Sequence, residues 1–434
     1  MIGGRPIPFT DDDRRLLTDF VAVPSVSPLE GGDPAECERA QDLFQSAASK
    51  RGFQVVLHAA APAAALQAYG VPAQVLAAAE ADPEFLRRQP SVVIGLGDPA
   101  TVDRTLIFNF HADTVGPHIP PKWIQDRLHA RGAADDKGPG VAALIGVAAA
   151  YADRPEIART TRVLIASVPG EEGGAMGVFG TRWLVDSGFV GRLMVFAEPT
   201  GMRSLDACSA TMTAAIRVAG VDATDDHPTD GHNATVVLGW MASWLARRLG
   251  PIVSAQGAKL TIAGLHTGHQ HNRVYGTGEL KVNIAYYTAA AAPVLEDALV
   301  CLISQAREAF RDDHGDLAIV RRVLEDWDQI VGLVWLKRGI PPLANEDAAG
   351  REVLAIAGLP WADGIADGSA FTCDAVWAGG SGRYVVACGP GRLDDNGAHT
   401  PDEWIDLRDL EAYAGRVRDL VHAFADWTSV KGPM

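Results

Sequence analysis

Along the first half of the chain, short runs of bulky apolar residues alternate with stretches whose apolar positions recur at helical spacing. Residues 91–96, 106–110, 162–168 and 193–197 have the length and β-branched bulk of buried strands, and 53–57 reads as another. Thr10-Asp11-Asp12-Asp13 caps a first helix running toward Val21, and 34–50, 141–151 and 178–186 read as further helices. The Ala-rich stretch 59–81, broken by Pro62, Gly70 and Pro72, reads as an exposed helical insertion without chemistry. Strand and helix in alternation predict right-handed crossover units and a largely parallel sheet.

From about residue 208 the pattern changes. Strand 211–221, helix 233–249, strands 259–265 and 278–287, helix 293–310 and strand 316–324 follow in the order β-α-β-β-α-β. That order predicts a separate ferredoxin-like α+β module. Helix 348–357, strand 384–388 and a long helix 407–427 then resume the first pattern. The expected organisation is an α/β domain in two parts, 1–207 and 326–434, interrupted by an inserted module at 208–325. At 434 residues the chain is too long for one ordinary core, which agrees with two domains.

Charge and cysteine usage narrow the partners. Thirty-eight Lys and Arg against 54 Asp and Glu leave a net of −16, which repels phosphate backbones and argues against nucleic acid. Cys37, Cys208, Cys301, Cys373 and Cys388 are scattered, odd in number and without CxxC spacing. They fit a reducing compartment better than a disulfide framework or a thiolate metal site. The N-terminus lacks an apolar signal core, and no apolar stretch reaches membrane-spanning length. The expectation is a cytoplasmic protein with no membrane partner.

In open parallel sheets ligands bind outside the carboxyl ends of the strands. Here those ends carry the candidate chemistry. His111-Ala112-Asp113 follows 106–110, Glu171-Glu172 follows 162–168, and Glu198 follows 193–197. Alternation along an extended chain puts Asp113 on the side of His111, within reach of the ring nitrogen that a metal would not use. Asp135-Asp136 stands before the helical run 141–150, and His399 lies in Ala398-His399-Thr400-Pro401-Asp402-Glu403. Alone, Asp135-Asp136 reads equally as a capped helix start. A nitrogen and oxygen set without thiolate suits zinc or a similar divalent ion. There are more carboxylates than one ion needs, so two ions bridged by one acid, with another acid as general base, would use them.

The segments HADT, RGAADDKG, PGEEGG, FAEPT, GPG and AHTPDE, in this order, resemble the di-zinc amidohydrolase and exopeptidase family. That family includes acetylornithine deacetylase, succinyl-diaminopimelate desuccinylase, aminoacylase and the glutamate carboxypeptidases. The resemblance spans nearly the whole chain, and it implies a zinc-hydrolase catalytic domain with an inserted lid that also makes a homodimer contact. It implies that Asp135 bridges two divalent ions, zinc or alternatively cobalt or manganese. His111 and Glu198 would complete one ion, Glu172 and His399 the other. Asp135 is chosen over Asp136 because it aligns with the acid in relatives that have Met at the second position. Glu171 would be the general base and Asp113 would orient His111. The reaction implied is amide hydrolysis of an N-acyl amino acid or related small amide by a metal-bridging hydroxide. Glu at the position of Glu198 goes with deacylases and carboxypeptidases of the family.

Two departures concern substrate recognition. The family's lid histidine, an oxyanion donor, is replaced by Thr224, leaving His227 as a substitute. The carboxylate-binding arginine is replaced by Ala285, while Asn272 fits the lid asparagine and Arg273 offers another cation. A dipeptidase or carboxypeptidase acting on short peptides, or a catalytically degenerate metal-binding relative, are therefore the rival readings. The stretch His266 to His271 reads as a solvated turn, and Trp240, Trp244, Trp327 and Trp335 as packing.

Overall fold

A computed structural model describes residues 4–380 and 382–430. The chain forms two compact units. One runs to Cys208 and resumes at Leu343; the other is Ser209–Pro342.

The first unit is built on a six-stranded sheet in the order Gln54–Ala59, Ser91–Leu96, Arg162–Val168, Thr105–His111, Leu193–Pro199 and Tyr384–Gly389. The last four are mutually parallel, and the first two add an antiparallel edge. The central strands are apolar on both faces because helices cover both. Lys137–Asp153, rich in Ala and Gly, packs against the long helix Leu407–Val430 and against Asp11–Ala22. Phe20, Phe44 and Phe110 interlock at ring separations of 5.8, 6.2 and 4.9 Å, joining the first two helices to the strand that ends on His111.

The Ala-rich segment is more than an exposed insertion. Val75 on helix Ala73–Ala81 and Phe85 on Glu84–Arg87 are buried against Val178 and Phe179. Gln74 Nε2 donates to the Gly173 carbonyl at 2.5 Å. The segment therefore buttresses the loop that follows Glu171-Glu172. The helix expected at 178–186 is correspondingly shorter, Thr181–Asp186, because Val178 and Phe179 serve this packing.

The second unit is a four-stranded antiparallel sheet in the order Lys259–His266, Thr277–Tyr286, Ala210–Ala219 and Val331–Lys337, with helices Ala234–Ala255 and Ala291–His314. Burial alternates along Thr277–Tyr286 with the period of two that a one-sided sheet requires. The strand expected at 316–324 is not one. Val320, Val323 and Trp327 are buried at helical spacing, and they place Arg321–Ile330 in a helix. The fourth strand falls later, at Val331–Lys337, so this unit ends at Pro342 rather than 325.

Candidate metal centre

Thr105–His111 is buried along its length and delivers His111 at its carboxyl end. Its two neighbours run parallel to it, so their ends open on the same edge. Glu198 is the penultimate residue of Leu193–Pro199, and Glu171-Glu172 follows Arg162–Val168 after Pro169-Gly170. Asp135 precedes helix Lys137–Asp153, and its peptide bond to Asp136 is cis. His399 comes from the loop after Tyr384–Gly389, with φ of 63°. That left-handed conformation costs about 1–2 kcal/mol for a residue with a side chain, and two carboxylate contacts hold it.

The Asp135 carboxylate is divided between the two histidines. One oxygen lies 2.9 Å from His111 Nε2 and the other 3.2 Å from His399 Nε2. His399 Nε2 is also 2.9 Å from Glu172 Oε1. Candidate ligand atoms of His111, Asp135 and Glu198 lie within 4.8 Å of one another, as do those of Asp135, Glu172 and His399. Two of the three ligand groups among the described residues thus share one acid; the third, His111 with Glu171 and Glu172, sets Glu171 beside the same imidazole. The Asp136 oxygens are buried, have no hydrogen-bond partner and belong to none of these groups.

His111 Nδ1 is held at 2.8 Å by the backbone carbonyl of Asp113. The Asp113 carboxylate stands 3.9 Å from that nitrogen and instead accepts from the Glu171 and Glu172 amides, at 3.3 and 3.1 Å. This corrects the expected contact. Both groups of Asp113 support the site, but the side chain caps the glutamate loop rather than the imidazole.

Burial and the neighbouring Glu172 charge hold the Glu171 carboxyl well above its ordinary value. Burial, Asp135 and Asp136 do the same to Glu198. The carboxylates of Asp135 and Glu172, accepting from its ring, push His399 up to about 11. So many carboxyl groups buried around two imidazoles carry their negative charge only if a nearby cation offsets the desolvation. A pair of divalent cations fits this nitrogen and oxygen set.

The deciding comparison covers most of the chain. Peptidase family M20/M25/M40 is matched over residues 107–423. The chain belongs to this family. No curated protein matches it. Among solved structures it is similar to a Staphylococcus aureus tripeptidase, with 14% identity, coverage of 95% of this chain and 99% of that one, and a TM-score of 0.64. A Sulfolobus solfataricus M20 family metallo-carboxypeptidase gives 13%, 96%, 100% and 0.63. Human carnosine dipeptidase 1 gives 14%, 96%, 97% and 0.61. As an M20 peptidase family member the chain is a hydrolase of peptide or amide bonds, and the family depends on a dinuclear metal site.

Of the residues expected to act in this M20 hydrolase, His111, Asp135, Glu171, Glu172, Glu198 and His399 come together in the first unit. His227, Asn272 and Arg273 belong to the second. His227 and Asn272 are exposed, and Arg273 is engaged by Asp222 at 2.6 Å. Asp374 was not anticipated. It is buried, accepts from Thr181 Oγ1 at 2.5 Å, and burial pushes its carboxyl up to about 6. Arg131 and Glu403 also went unassigned, although both stand in the quoted motifs. Nothing in their local spacing announces that they pair.

Proposed function

We propose that the chain is a di-zinc hydrolase that cleaves the amide bond of an N-acyl amino acid or related small amide. The observation that carries this reading is the Asp135 carboxylate, divided between His111 and His399 with Glu198 and Glu172 on its two sides. His111, Asp135 and Glu198 would hold one ion; Asp135, Glu172 and His399 would hold the other. When bound, the ions supply Lewis acidity toward the scissile carbonyl and toward water.

The chain's own residues do the rest. Glu171, beside this cluster, takes a proton from the attacking water and returns it to the departing nitrogen. One C–O bond forms and the C–N bond breaks, leaving a carboxylic acid and an amine. Asp113, through the Glu171 and Glu172 amides, keeps the base and its neighbouring ligand in register.

Similarity in fold to a tripeptidase, a dipeptidase and a carboxypeptidase favours a second reading, cleavage of short peptides. The exposed edge strand Lys259–His266 supports a homodimer through the second unit. Five free cysteines support a cytoplasmic location, and no helix among the described residues is long and apolar enough to cross a membrane. Release of primary amine from pooled N-acyl amino acids and pooled dipeptides, by zinc- or cobalt-loaded protein, tests the reading. The responding pool chooses between deacylase and peptidase, and silence in both with metal bound refutes hydrolysis of either class.

A further inference from the structure

We propose that Arg131 and Glu403 are positioning residues for the metal centre, a buried strut that ties the backbone of Asp135 to the loop carrying His399. The assignment rests on the metal-centre reading above. Both side chains are about 1% exposed or less. Arg131 Nη1 donates to Glu403 Oε2 at 2.5 Å. The other oxygen, Oε1, accepts from the Ala134 and Asp135 amides at 3.0 and 3.3 Å. The Ala130 amide adds a bond to the Glu403 carbonyl at 3.2 Å. A carboxylate 268 residues away in sequence therefore fixes the peptide that carries the acid shared by both ligand groups.

The consequence is geometric. The Asp135 carboxylate sits between His111 and His399, at 2.9 and 3.2 Å, and its backbone hangs on Glu403, which is four residues from His399 in the same loop. Displacing Glu403 moves Asp135 and His399 relative to each other, and the shared acid is the group with least tolerance for that.

Stability alone is a weak reason for such a pair. Arg131 Nε and Nη2 are buried without partners, and a buried ion pair with unmet donors often contributes no more than an apolar packing of similar volume. What the pair supplies is position. Arg131 holds Glu403 by one short, directional bond from Nη1, set by the rigid plane of its guanidinium, and the compact, freely rotating ammonium of a lysine does not reproduce that placement. Neither side chain is among the candidate ligands, so their effect on metal passes through Asp135.

The test uses Co2+ as the probe on the full chain, stripped of metal, with stoichiometry from equilibrium dialysis and coordination from the visible absorption of the bound ion. Parent, Glu403→Gln, Arg131→Lys and the double variant are compared, each with a metal-free thermal midpoint. The parent is expected to take up two equivalents. In both single variants cobalt affinity should fall about 10–100-fold and the visible spectrum should change, in addition to whatever fall in the metal-free midpoint comes from leaving one buried charge without its partner. The double variant should be no worse than the weaker single one, because the two residues act as a unit.

Unchanged cobalt affinity and spectrum in both singles overturns the proposal. So does a fall in the metal-free midpoint with affinity intact, which assigns the pair to stability alone. Should Glu403→Gln fail to fold, Arg131→Lys decides by the same criteria. A parent that takes up no cobalt refutes the metal-centre reading itself, a result distinct from equal uptake by parent and variants.

Discussion

Gly173, the residue after Glu172, gives a test in which geometry and rate are expected to move together. Its φ is +63°, and a Cβ there would lie 2.6 Å from Ser27 Oγ and 3.1 Å from Leu29 Cβ. Ser27 Oγ in turn donates to the Glu172 carbonyl at 3.4 Å. Gly188 has a similar φ of +90° with no atom within 4 Å of an added Cβ. Alanine at either position should cost about 1–2 kcal/mol for the left-handed backbone, with the same small gain from a less flexible unfolded chain. Only at Gly173 does overpacking add about 1–3 kcal/mol. Ser27 Oγ can rotate away only by giving up its bond to the Glu172 carbonyl, and the Leu29 Cβ cannot rotate away at all, so the clash is relieved by moving the glutamate loop, and a shift near 1 Å can cost on the order of 100-fold in rate. Urea denaturation of the metal-free proteins and amine release by the loaded ones give the two readouts. Gly173→Ala should lose more stability than Gly188→Ala and should lose turnover, while Gly188→Ala keeps it. Equal stability and equal turnover in the pair would refute the reasoning.

Three further outcomes are expected. Phe85→Ala, which empties a buried position packed edge-on against Phe179 at 5.6 Å, should cost about 3–5 kcal/mol in urea denaturation; a loss below about 1 kcal/mol would show that the insertion is not packed on the loop. Asp13 accepts from Thr10 Oγ1 at 2.6 Å and from Arg51 Nη2 at 2.7 Å. Burial alone would raise its carboxyl, but these bonds hold it below the ordinary value, so its contribution is present above the unfolded carboxylate range and lost as pH falls through the lower folded value. Asp13→Ala should therefore cost about 1–2 kcal/mol at neutral pH, and the gap to the parent should close in acid below about pH 4; a pH-independent gap would contradict this. Finally, free zinc at a hundredfold excess over its dissociation constant should stabilise the protein by about 2.7 kcal/mol per site, and a chelator should reverse the gain in thermal melting; no shift on loading would argue against the centre.

Much of this was legible in the chain itself, for a physical reason. Apolar runs ending abruptly in His111, in Glu171-Glu172 and in Glu198 carry both the strand and its chemical terminus in contiguous sequence. The parallel sheet then brings those ends together. The segment around Val320 and Val323 misled because short β-branched stretches fit strand and helix alike, and burial of Trp327 at helical spacing decided it. The Ala-rich insertion looked inert because its contacts, Gln74 to Gly173 and Phe85 to Phe179, are made to residues far along the chain. Asp113 lies close enough to His111 for either its carboxylate or its carbonyl to serve, and only coordinates separate the two. The Arg131–Glu403 pair, 272 residues apart, leaves no periodic trace at all.

The measurement closest to the central claim is amine release by Glu171→Gln beside the parent, on the responding substrate pool, with bound metal counted in both. Two ions are expected in each protein, with turnover lower by about 100 to 10,000-fold in the variant, the range of a lost general base. Turnover equal to the parent's, with both ions retained, would contradict it.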